Sequence, residues 1–156
     1  MSLRITEATE QDLPLILRFV RGLAEYEKLS HEMVATEDNL HEALFGARRV
    51  AWVLLAYWDA EPAGFALYFL NFSTFAGQFG IFLEDLFVEP AMRGKGIGKA
   101  LLIQLARIAQ ERGYGHLEWS VLDWNKPAID FYRSLGAEAK SEWIIHRLSG
   151  ERLKAL

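Results

Sequence analysis

Residues 93–99, RGKGIGK, alternate three glycines with other residues and carry three cations, Arg93, Lys95 and Lys99. Glycine accepts positive φ and lets the backbone approach a ligand closely. Beyond the turn, Ile97, Leu101, Leu105 and Ile108 recur at helical spacing and Gly113 supplies a stop, so the glycines open a helix. N–H groups converging there, together with the partial positive charge of a helix N-terminus, make a seat for a phosphate. A turn that merely needs flexibility would not require the cations. Two familiar phosphate loops fail on spacing. GKGIGKAL lacks the Ser or Thr hydroxyl that completes a P-loop. A dinucleotide fingerprint needs a third glycine where Lys99 stands.

Acidic and phenolic groups form the second set of candidates. Glu84 and Asp85 sit side by side inside the apolar run FLEDLFV. Acids in such a strand are costly without a purpose, unless the strand is an edge with both solvated. Consecutive strand residues are expected to face opposite sides, so one acid would face a cleft and the other solvent. Tyr132 lies in NKPAIDFYRSLG, where Ala128, Ile129, Phe131 and Leu135 mark an apolar face that would equally make it a core residue. With no cysteine in the chain and four histidines at unrelated spacings, neither a thiolate nucleophile nor a metal site is expected.

The elements that must position these groups follow from pattern and punctuation. Residues 3–6 suit a first strand. Thr9 or Asp12 is placed to cap a helix carrying Leu13, Ile16, Leu17, Val20 and Leu23 on one face. A second helix is predicted over 36–45. Apolar runs at 50–58 and 65–72 predict a hairpin turning at 59–64, with a loop at 72–78 and a strand at 79–88 that ends at Pro90. A helix over 97–112, a strand over 116–122, a helix over 125–136 and one or two strands within 137–148 complete the order. Asn125 is the expected N-cap of the 125–136 helix, with Pro127 in its first turn and Gly136 at its end. The fold class is α/β: a mixed central β-sheet flanked by helices, in one domain over 1–156.

Composition narrows the functions. Twenty-one acids against 17 Lys and Arg give a net charge of −4, which argues against a general nucleic-acid binder. The longest apolar runs are too short to span a bilayer, and residues 1–13 lack a signal-peptide core. A cytoplasmic location with no membrane partner is therefore expected.

The pattern Arg-x-x-Gly-x-Gly, met by Arg93, Gly96 and Gly98, resembles the pyrophosphate loop of the GCN5-related N-acetyltransferase (GNAT) superfamily. NKPAIDFYRSLGA resembles a later motif of the same family. Four stretches, LAEYE (23–27), LEDLFV (83–88), RGKGIG (93–98) and WNKPAIDFYR (124–133), further resemble the spermidine/spermine acetyltransferase branch, which includes enzymes acting on thialysine. The anion is then the pyrophosphate of acetyl-CoA. The resemblance implies that Arg93, Gly94, Lys95, Gly96, Ile97, Gly98 and Lys99 hold it. Leu86, Phe87 and Val88 would line one wall of a slot between splayed parallel strands, the acetyl-CoA cleft of the GNAT fold. Asn125, Ala128 and Tyr132 would line the other, Asn125 capping its helix at the same time.

By the same resemblance Tyr132 gives a proton to the leaving thiolate; a phenol's reference pKa of about 10 makes that transfer feasible. Glu84 takes the amine's proton, directly or through water. Tyr26, Glu27, Glu84, Asp85 and Trp143 would contact the amine, although Tyr26 and Glu27 could equally be solvated residues at a helix end. Lys28 and the LSH that follows stand where polyamine enzymes carry acids, which weakens the case for spermidine or spermine. The expected activity is transfer of acetyl from acetyl-CoA to a primary amine of a small cationic metabolite of thialysine, diamine or polyamine type. It would proceed by direct attack in a ternary complex within a homodimer. The alternatives are acetylation of a protein or peptide amine, and a non-catalytic acyl-CoA sensor.

Overall fold

The computed structural model describes residues 2–156. Its contacts divide into two compact units, Met1–Ser120 and Val121–Leu156. The first unit holds strand β1 (Leu3–Glu7), helices α1 (Leu13–Tyr26) and α2 (Glu37–Phe45), strands β2 (Trp52–Trp58), β3 (Glu61–Ser73) and β4 (Gln78–Val88), helix α3 (Ile97–Glu111) and strand β5 (His116–Trp119). The strands form one sheet in the order β1-β2-β3-β4-β5. All neighbours are antiparallel except β4 and β5, which α3 joins in parallel.

The helices cover the two faces. On one, Ile16, Phe19 and Leu23 of α1 and Leu44 of α2 bury against Val53, Leu55, Phe65, Leu67 and Phe87. On the other, Ile97, Leu101 and Leu105 of α3 are buried, and the alternating residues Ala66, Tyr68 and Leu83 lie on the opposite side of the strands from that first cluster. Thr36 caps α2 as its pattern requires, accepting a bond from the Asn39 amide. Thr9 caps only the 3-10 turn before α1, and Asp12, although it stands at the N-cap of α1, bonds back to the Thr9 amide instead.

β4 and β5 pair only from Gly80–His116 to Leu83–Trp119. At the start of that contact His116 reaches across Gly80 to Asn71 of β3 (Nε2···Oδ1 2.6 Å), a crossing that a side chain on residue 80 would block. Past Leu83 the partnership ends. β4 runs on to Val88 with its outer edge unpaired by β5, which is the splay expected between parallel strands. It opens earlier than the sequence indicated, because β5 stops at Trp119 rather than at 122.

The second unit contains helix α4 (Lys126–Ser134) and the short helix α5 (Gly150–Lys154). The Asn125 side chain caps α4 by accepting from the Ala128 amide, and Gly136 (φ +91°) follows its end, as the pattern predicts. The strands expected within 137–148 are not present. Trp143, Ile144 and Ile145 are 75–78% exposed there. A strand needs a neighbouring edge to satisfy its backbone groups and its apolar side chains, and among the described residues this segment joins no ladder. Among the described residues no helix is long and apolar enough to cross a membrane.

Candidate active site

The glycine turn is built as the sequence indicates. After β4, a 3-10 turn at Pro90–Met92 leads to Arg93. Gly94 and Gly96 take φ of +81° and +79°, values that most side chains disfavour. Gly96 is the N-cap of α3, and no side chain caps that helix, so its first N–H groups remain for another acceptor. An ideal Cβ at Gly94 or Gly96 would meet no protein atom within 4 Å, so this face is open. Residues 93–96 and Lys99 are exposed, Gly98 is half-buried, and Ile97 is buried under the sheet as the helix's first anchor. Lys95 stands over the Trp58 ring at 5.2 Å. An open turn of N–H groups with a helix dipole behind it fits a pyrophosphate.

The acids are arranged differently from expectation. Leu67 of β3 pairs with Asp85 and the next residue, Tyr68, pairs with Leu83. Glu84 is therefore an extra residue, a β-bulge. The bulge restarts the alternation. Leu83, opposite Tyr68, lies on the α3 face. Asp85, opposite Leu67, takes the α1 face, followed by Phe87 opposite Phe65 in the α1-side core. The strict alternation expected of the two acids is thus corrected: the bulge interrupts it, and, after burial, the charge of the exposed Glu84 raises the pKa of both Asp85 and Glu27.

Glu27, at the C-cap of α1, completes a group of three carboxylates. Burial raises the Glu27 pKa, and the Glu84 charge raises it further. Burial, then the charges of Glu84 and Glu27, push Asp85 up to about 7. Burial first, and the two neighbouring charges after it, bring Asp85 into the range where it exchanges a proton near neutrality, a familiar mark of a working site. No group of three His, Cys, Asp or Glu residues among the described residues is placed to hold a metal ion.

Between turn and acids runs the unpaired edge of Glu84–Val88, with Leu86 and Val88 half-buried and Phe87 buried. Tyr26, the last residue of α1, lies over this end of the sheet: the Arg93 guanidinium sits 4.9 Å above its ring and 5.7 Å from that of Phe87. The first unit therefore brings together Tyr26, Glu27, Glu84–Val88 and the turn 93–99. Asn125, Ala128 and Tyr132 share helix α4 and its cap in the second unit, where the Tyr132 ring packs on Phe131 with centroids 5.7 Å apart. Trp143 lies in the irregular stretch of that unit. Missed from the sequence were the bulge and the stacking of Arg93; the only local hint of the bulge was a pair of acids inside an apolar strand.

Comparison with known proteins agrees with the fold. The family model described as Acetyltransferase (GNAT) family matches residues 16–137. The chain is 39% identical to the thialysine N-epsilon-acetyltransferase of Bos taurus over 97% of its length and 95% of that protein's. It is 31% identical to an L-ornithine N5-acetyltransferase of Arabidopsis thaliana over 98% of its length and 87% of that protein's. A solved integron cassette protein from the mobile metagenome of V. cholerae superposes with a TM-score of 0.82 at 29% identity, over 99% of this chain and 97% of that one. A five-stranded sheet splayed at β4, with an uncapped glycine turn below it, is the frame of an acyltransferase. The chain belongs to the acetyltransferase (GNAT) family, and it is an enzyme.

Proposed function

We propose that this enzyme transfers an acetyl group from acetyl-CoA to the side-chain primary amine of a small cationic metabolite of thialysine, ornithine or diamine type. The observation that carries the reading is the group of three carboxylates, Glu27, Glu84 and Asp85, beside the unpaired edge of β4. Such a group attracts an ammonium and holds a second positive charge on the same molecule. The names of the Bos taurus and Arabidopsis thaliana relatives, enzymes of thialysine and of ornithine, support the same class.

Residues 93–99 would hold the pyrophosphate through backbone N–H groups, with Lys95 and Lys99 adding charge. The edge of Leu86–Val88 offers backbone groups to pantetheine amides, and Asn125 and Ala128 are the further residues that the family resemblance assigns to the cofactor. Bound there, acetyl-CoA supplies an acyl group activated as a thioester. An alkyl amine with a reference pKa of about 10 arrives as an ammonium and must lose a proton before its lone pair can attack. Glu84 takes that proton, directly or through water, and Asp85, titrating near neutrality, relays it. As the new C–N bond forms and the C–S bond breaks, the Tyr132 phenol donates its proton to the departing sulfur. Attack is direct, and the homodimer implied by the branch belongs with this reading.

A CoA-release assay over thialysine, ornithine, diamines, spermidine, N-terminal peptides and neutral-tailed amines tests it. Turnover of the small dicationic amines at least tenfold above peptides and neutral amines is expected. Preference for peptides, or acetyl-CoA binding without turnover of any amine, would overturn it.

A further inference from the structure

Arg93 has three neighbours that a phosphate ligand would not need. Its Nε donates to the Val88 carbonyl at 2.9 Å, which fixes the guanidinium plane against the end of β4. The plane then lies over the Tyr26 ring at 4.9 Å and beside the Phe87 ring at 5.7 Å. Tyr26 is one helical turn beyond Gly22, and at Gly22 α1 passes close to β4: an ideal Cβ there would stand 2.6 Å from Phe87 Cζ. One turn earlier again, the Phe19 ring packs on Phe87 with centroids 5.9 Å apart. Residues 19, 22 and 26 thus form a single stripe of α1 laid along Phe87, and Arg93 closes over its last member. Glu27 follows immediately as the helix cap, its carboxylate facing Glu84 and Asp85. On its other side Arg93 is bonded to Gly94, the first glycine of the turn.

We infer that Arg93 is a positioning residue for the amine site: its guanidinium braces Tyr26 and thereby holds Glu27 against the bulged acids. This rests on the amine-acetyltransferase reading above and deepens it. Like-charged carboxylates repel one another, so Glu27 stays beside Glu84 and Asp85 only if the end of α1 is held down. A cation–π contact supplies such a hold even at an exposed site, and the fixed plane of Arg is suited to stacking where the ammonium of Lys is not. The same residue that opens the anion seat thus organises the amine site.

Two measurements on Arg93→Ala and Arg93→Lys test this, the first needing no turnover. Hydrogen exchange on the ligand-free protein reads the amides of Glu27, Lys28 and Leu29, which bond back to Leu23, Glu25 and Ala24. In both variants these three should exchange about 5–20-fold faster while amides in the middle of α1 keep their rates. Unchanged exchange at 27–29 would overturn the inference. The second is a kinetic cycle with Tyr26→Ala. Each single variant should raise KM for the dicationic amine about 5–20-fold, and in the Arg93 variants this rise should come on top of whatever acetyl-CoA affinity the anion seat loses, read separately by calorimetry. The double variant should be no worse than the worse single one. Additive effects, or a tenfold loss of acetyl-CoA affinity with amine KM unchanged, would make Arg93 a phosphate ligand alone and sink the proposal. Should the wild type turn over no amine at all, the function reading fails by itself, and the exchange data still decide whether Arg93 braces α1.

Discussion

The glycine turn and the carboxylate bulge lie within about a dozen residues of each other on one stretch of chain, and they are built on opposite terms. The turn is exposed, cationic and works through backbone, its shape set by two residues with φ near +80°. The bulge is anionic and partly buried, and its shape is set by a neighbouring strand that pairs Leu67 with Asp85 and Tyr68 with Leu83. In the proposed reading a local device would seat the anionic partner, and a long-range device would collect the charges that meet the cationic one. Different substitutions should damage them in different ways.

The largest effect is expected in the turn. Gly96→Asp adds a Cβ at φ +79°, costing about 1–2 kcal/mol of strain, and puts a carboxylate beside the anion seat. Acetyl-CoA binding, followed by calorimetry on folded protein, should fall at least a hundredfold. Gly98→Asp, whose neighbourhood is open apart from Val88 at 3.8 Å, should also be severe through charge alone. Wild-type affinity in both would remove the phosphate from the turn.

Neither region serves the departing sulfur, and Tyr132 is the group proposed for that step. Tyr132→Phe should lower kcat by about 10²–10⁴-fold with acetyl-CoA affinity nearly unchanged, as for a positioned proton donor. A kcat that stays put where chemistry limits the rate would return this tyrosine to a packing role.

Within the bulge the effects should be smaller and should separate by parameter. Glu27→Gln removes one of three charges at a partly exposed site, worth roughly 1–2 kcal/mol after screening, and so raises KM for dicationic amines about 5–30-fold. Neutral-tailed amines should be far less affected. Glu84→Gln should lower kcat instead, with recovery at high pH as free amine becomes plentiful. Equal losses toward charged and neutral-tailed amines in both variants would mean that the acids do not read substrate charge.

The last effect is on stability rather than on activity. The folded pKa of Asp85, about 7, lies above the usual aspartate value near 3.9, so folding favours its protonated form. That contribution is fully present below about pH 4 and is lost as pH rises to about 7. Asp85→Asn cannot ionise and should escape the loss. Denaturant unfolding should find the variant gaining roughly 1–3 kcal/mol on wild type between pH 4 and pH 8, discounted for partial exposure. A difference that is flat with pH would mean that neither burial nor the Glu84 and Glu27 charges raise Asp85. The same titration, followed by NMR in Glu27→Gln, should move Asp85 downward.

What sequence alone determined is what neighbouring residues decide between themselves. RGKGIGK names its own turn because only glycine enters positive φ cheaply, and the helix after it announces itself by period. Thr36 and Asn125 cap their helices because a short polar side chain reaches an amide three residues on. The tertiary structure decided the rest. Whether Glu84 and Asp85 part or converge depends on how β3 counts residues against β4, and one unpaired residue reverses every side chain beyond it. The stacking of Arg93 on Tyr26 joins residues 67 positions apart through a helix end, which no local pattern encodes. The run around Trp143 has strand-forming side chains, yet a strand is made by its neighbour as much as by its own residues, and among the described residues this run joins no ladder.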